Sequence, residues 1–187
     1  TGSCSANAGS YKVWRRSMTD WVQTQTGPGA SHLHIGRWEV RLVPHGWVYV
    51  PDFGIRKAGE GMVPSNVAVN EDTLLCGDKL AFYLDAQIAL MKNTFKDPMI
   101  AGPKPAEFAG TDEAMLLMVK HGTLNGYTVV QVQNYVRCGT WIGIVTLTTL
   151  ERELLNVRQD FERFSKALVI HPEAKPPQDD QQDGAIR

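Results

Sequence analysis

The chain has 187 residues, 43% of them hydrophobic and 21% charged, which is long and apolar enough for one domain with a full core. Lys and Arg (19) nearly cancel Asp and Glu (20), giving a net charge of -1 and no basic field for non-specific nucleic-acid binding. No apolar run approaches the ~18 residues of a membrane span, and three cysteines are too few for a disulfide framework.

The spacing of Trp14, Met18, Trp21 and Val22 predicts a short amphipathic helix over 11–22, in an N-terminal extension, residues 1–30. A helix of two or three turns cannot keep so large a stripe in water, so it is expected to pack on the mixed sheet face described below, near Leu116 and Tyr135. The chain opens on Thr rather than Met, which fits a start after cleavage or a fragment. The string Thr1-Gly2-Ser3-Cys4 resembles the end of a lipoprotein signal without its apolar stretch. The compartment stays open, with the bacterial cytoplasm placed ahead of a periplasmic or lipid-anchored setting.

The main domain is expected over 31–171. Trp38–Val43 alternates as a strand, Pro44-His45-Gly46 turns, and 47–50 resumes an extended pattern. The glycines and prolines of 51–65 read as a loop, Val67–Val69 as a strand. Asp78 is placed to cap a helix whose stripe is Leu80, Leu84, Ile88, Met91 and Phe95; the prolines of 98–105 then make a connector. Three strands follow, 113–121, 127–137 and 140–148, linked by Asn125-Gly126 and Cys138-Gly139. Thr148 and Glu151 form a capping box for a last helix carrying Leu154, Val157, Phe161, Phe164 and Leu168, ended by His171-Pro172. The polar tail 172–187 is expected to be disordered. The element order gives an α+β fold with an antiparallel sheet and flanking helices.

If both meander turns hold two residues, Val136 opposes Trp141, Val132 opposes Val145 and Val119 opposes Val132. Their face is apolar and should receive both later helices. The opposite face mixes apolar residues and amides: Leu116, Met118, Val129, Gln131, Gln133, Tyr135, Ile142 and Ile144, with Lys120 and Thr146. Such a face meets something amphipathic, either the chain's own tryptophan helix or a partner protein, and these eight residues are the candidate partner-binding set.

Catalytic chemistry is sparse. No GxGxxG, GxxxxGK[ST], GxSxG or HExxH is present. His32 and His34 could share a strand face but have no third ligand nearby in sequence. Asp112-Glu113 reads as solvated acids, and Cys138 has only Arg137 beside it to lower a thiol pKa; a Cys76–Cys138 bridge depends on the fold. The expectation is a non-enzymatic protein with no cofactor and no metal.

Several stretches carry a family likeness: Trp38-Glu39-Val40-Arg41-Leu42-Val43-Pro44-His45-Gly46-Trp47, Pro64–Val69, the Leu80–Phe95 helix, Phe108-Ala109-Gly110-Thr111, and Thr146-Leu147-Thr148-Thr149 with its closing Phe161/Phe164 helix. In this order they resemble the PsbP-like α/β/α sandwich, and within it the DcrB-related bacterial proteins, over roughly 37–170. The resemblance implies a binding protein rather than an enzyme. It points to a secretion-effector chaperone of the type VI kind, shielding apolar segments of its client and able to form a homodimer, or to a periplasmic or lipid-anchored accessory protein of DcrB type.

Overall fold

The computed structural model describes residues 33–50, 53–58, 64–74, 79–123 and 125–171. The tryptophan stripe of 11–22, His32, Cys4, Cys76, Asp78 and the polar tail lie outside them. Within this range run β1 (Leu33–Ile35), β2 (Trp38–Val40), β3 (Trp47–Val50), β4 (Gly54–Lys57) and β5 (Asn66–Thr73). Then come α1 (Leu80–Thr94), β6 (Lys96–Pro105), β7 (Glu113–Gly122), β8 (Thr128–Cys138), β9 (Trp141–Leu150), α2 (Leu154–Ala167) and β10 (Leu168–Ile170). A short 3₁₀ turn, Glu151–Glu153, leads into α2.

Seven strands form one antiparallel sheet in the order β3-β4-β5-β9-β8-β7-β6, and β1-β2-β10 form a second, small one. The two helices cover opposite faces of the large sheet. On one face Val157, Phe161 and Phe164 of α2 pack with Val67, Val69, Val136, Val145 and Leu147, and the small sheet adds Trp38, Val40 and Leu168 to the same core. On the other, Leu80, Leu84 and Met91 of α1 meet Leu117, Val119, Tyr135 and Ile142. The expected stripe of α1 is thus the buried one, with Ile88 and Phe95 partly buried beside it. Sending α1 to the face opposite α2 corrects the expectation that both helices share a face. Each face of a wide sheet needs its own cover, and together the helices make an α/β/α sandwich.

Several elements differ from the sequence reading. Residues 54–57 are strand β4, inside the expected loop. Residues 96–105 are strand β6 rather than a connector. Its prolines are tolerated because β6 pairs only with β7, with register irregularities on either side of the paired run Met99–Ala101, so the missing N–H groups fall on an edge. Helix α2 stops at Ala167, where Leu168–Ile170 turn extended and pair with β2, Leu168 opposite Val40. Leu168 therefore reaches the core from a strand. No capping box forms: the residues preceding the 3₁₀ turn and α2 make no side-chain cap bond, and Glu151 instead pairs with Lys120.

Register explains the rest. The β8–β9 turn is Gly139-Thr140, so Cys138 opposes Trp141, Val136 opposes Gly143 and Val132 opposes Leu147. That is a slip of two residues from the expected pairing, and a slip of two leaves every side chain on its face. The β7–β8 connection is different. Gly122 opposes Thr128, which leaves five residues, 123–127, in the loop. Thr123 N donates to Tyr127 O, Tyr127 N to Thr123 Oγ1, and Gly126 takes a positive φ of 77°. The register moves by one, so Met118 and not Val119 opposes Val132. A slip of one turns all of β7 over.

Candidate functional site: a groove beside helix α2

The one-residue slip decides where the eight candidate residues lie. Leu116 and Met118 point to the α2 face, with Val132 and Asn134. Val129, Gln131, Gln133, Tyr135, Ile142 and Ile144 line the α1 face. The expectation of one shared face is corrected for this reason. On the α1 side most of the set is internal: Ile142 is 0% and Tyr135 2% exposed, Val129 and Gln133 are buried, and Gln131 and Ile144 are half-buried. The amides are consumed within the chain, as Tyr135 Oη donates to Gln133 Oε1 (2.7 Å) and Gln133 Nε2 to Gln131 Oε1 (3.1 Å). Tyr83 packs its ring on Tyr135 and donates to Asp72 Oδ2 (2.7 Å). Burial pushes both phenols well above the usual tyrosine range, and the Asp72 carboxylate adds to the rise at Tyr83.

The α2 side is only partly covered. Helix α2 and the small sheet lie over the β5–β9 half, which leaves the β6–β7–β8 strip beside α2 open. There a cavity of about 610 Å³ is floored by Leu116, Met118, Val132 and Leu147. One wall is α2, through Leu154, Arg158, Phe161 and Ser165; the other is Ala101 and Lys104 of β6 with Phe108 of the following loop. Met118 is 39% exposed on the floor.

The charges of this groove are ordered. Lys104 opposes Leu116 and Leu116 opposes Asn134, which places these three on one rung of the sheet. Asn134 Nδ2 donates to Ser165 Oγ (3.4 Å), so the last turn of α2, with Lys166, lies over that rung. Lys104 and Lys166 therefore flank the same end from opposite walls. Both are exposed and have no ion-pair partner among the described residues, whereas Arg158 pairs with Glu162 (2.9 Å). Sequence reasoning missed Lys104 and Lys166 because it read 98–105 as a connector and could not place α2 against the strip. The odd five-residue loop was the one signal that could have put Met118 here.

The other sequence candidates are structural. Asp112 Oδ2 accepts from Gly139 N (2.7 Å) and Glu113 pairs with Arg137 (3.3 Å), so the acid pair braces the β8–β9 turn. Burial and nearby Asp112 push the Cys138 thiol up, away from the reactive thiolate. His34 lies beside His171, ring centroids 5.9 Å apart, and His171 Nε2 meets Glu39 Oε2 at 2.7 Å. This places His171 beyond strand β10 rather than at a helix end. Among the described residues no three His, Cys, Asp or Glu side chains gather as a metal site, and no helix is long and apolar enough to cross a membrane.

LpqN of Mycobacterium tuberculosis, involved in cell envelope biogenesis, overlays with a TM-score of 0.60 at 17% identity, over 72% of this chain and 83% of its own. PA94 of Pseudomonas aeruginosa, a protein of unknown function, overlays with 0.55 at 17%, over 63% and 81%. The fold is an α/β/α sandwich of the kind LpqN and PA94 adopt. Cyanobacterial PsbP from Synechocystis sp. PCC 6803 overlays with 0.46 at 10% identity, over 73% and 88%. No protein-family model matches the chain, and no curated protein matches it. At such identities the likeness to this sandwich is one of fold alone.

Proposed function

We propose that the protein is a non-enzymatic binding protein that captures an apolar or amphipathic segment of a partner protein in the α2 groove. One observation carries this reading: the β6–β7–β8 strip leaves the apolar residues Leu116, Met118 and Val132 only partly covered beside α2, on the same face as a closed core. Two strand spacings give a strip about 10 Å wide, which is the space one helix needs beside another. A guest helix would complete the layer that α2 begins. Its apolar face would gain ~25 cal/mol for each Å² removed from water, and Asn134 offers the floor a polar contact.

Of the two settings open at the sequence level, an envelope accessory protein is favoured over a secretion-effector chaperone, because a protein of the same fold, LpqN, is involved in cell envelope biogenesis. The test is direct. A fluorescein-labelled 14-residue helical peptide with a Leu/Ala face and neutral Gln/Ser flanks is titrated by anisotropy. The wild-type chain should bind it, and Met118→Glu should lose binding while melting within a few degrees of wild type. Equal binding by Met118→Glu overturns the groove as the site.

A further inference from the structure

We propose that the guest of this groove is an amphipathic helix of about three turns whose polar flanks are acidic. The proposal rests on the reading above and adds the guest's length and charge.

Length follows from the wall. From Leu154 to Lys166 α2 advances about 18 Å, so a helix lying alongside meets the groove over roughly 12 residues. Charge follows from the rims. Lys104 on β6 and Lys166 on α2 stand on opposite walls of one end with no ion-pair partner among the described residues. Glu107 is the single acid of the lining in the same condition, and Arg158 is engaged by Glu162. A helix seated on Met118 and Val132 presents its two flanks to these two walls. Carboxylates there meet unpaired ammonium groups on both sides, in a groove where nearby apolar surface weakens screening; ammonium groups there would repel.

The same charges decide between occupants within the chain. Residues 11–22 have the apolar stripe but carry Lys12, Arg15 and Arg16 against Asp20, the sign of the unpaired walls. The tail 172–187 has the acids Glu173, Asp179, Asp180 and Asp183 but no apolar stripe. Neither of these two segments offers stripe and sign together, so the charges favour a partner protein as the occupant.

The experiment uses two labelled peptides with the same Leu/Ala face as the neutral probe, one with Glu and one with Lys on both flanks, titrated into the full-length chain. The Glu peptide should bind about tenfold or more tightly than the Lys peptide, with a preference that shrinks as salt rises. The double variant Lys104→Glu with Lys166→Glu should reverse the order. If the neutral peptide binds and Met118→Glu abolishes it, yet Glu and Lys peptides bind alike, the capture reading stands and the acidic guest is overturned. If no peptide binds either the full-length chain or the chain lacking residues 1–27, both fall. If the chain lacking residues 1–27 binds and the full-length chain does not, the chain's own N-terminal segment is the occupant and the external acidic guest is overturned.

Discussion

At the scale of single residues, Gly143 shows how tightly the sheet is tied to the small one. It stands opposite Val136 near the start of β9, with an ordinary negative-φ strand backbone. A Cβ there would overlap the rings of Trp38 and Trp141, which lie 5.5 Å apart by ring centroids. Neither indole can step aside, since Trp38 is fully buried and also meets Phe108 edge-on. Gly143→Val should therefore destabilise the fold by about 3 kcal/mol or more, read as a lower urea midpoint, because overpacking a closed core forces side chains off their rotamers. An unfolding free energy within about 0.5 kcal/mol of wild type would show that the rings can yield. Buried Tyr135 and half-buried Tyr83 make a second prediction. Their folded pKa values lie above the unfolded value of 10.0, so the folded state holds its phenolic protons longer. Their contribution is complete below about pH 10 and falls as pH rises further, since the unfolded chain then binds fewer protons. Replacing both Tyr83 and Tyr135 by Phe should flatten stability between about pH 10 and 11.5; an unchanged slope would contradict the burial.

Among the elements, α1 and α2 test the layer arrangement. Leu84→Ala should cost ~2–5 kcal/mol, as it empties a site between α1 and the Tyr135 face. Leu155→Ala, at a residue 83% exposed on α2, should cost almost nothing. Comparable losses at both positions would mean that α1 is not docked as described. The elements also show what periodicity can and cannot convey. Apolar spacing marked the stripes of α1 and α2, and alternation marked β7, β8 and β9. Face assignment across β8 and β9 survived a wrong turn because the slip was even. It failed across β7 because the Thr123–Tyr127 loop is odd, and Asn125-Gly126 marks a turn without stating its length. Strand β6 was hidden by prolines that are compatible with an edge. Strand β10 was hidden because Leu168 also continues the helical stripe, and only pairing with β2 breaks the helix at Ala167.

For the molecule as a whole, this placement changes which surface is open to a guest. Counting along the chain put Met118 and Tyr135 on one face. In the folded sheet they lie on opposite sides, Tyr135 beneath α1 and Met118 on the floor of the groove beside α2. The candidate site was thus legible as a pair of residues, Leu116 and Met118, but not as a surface. Its walls come from α2 and β6, whose positions depend on long-range packing that local sequence does not encode. The central claim is that the β6–β7–β8 strip takes the guest and the α1 face is core. Methyl-resolved NMR of the full-length chain, titrated with the Glu-flanked peptide, tests this most directly. The account predicts that the Leu116 and Met118 methyl signals shift and saturate together while those of Ile142 and Ile144 stay in place. Shifts centred on Ile142 and Ile144, with Met118 unmoved, would contradict it.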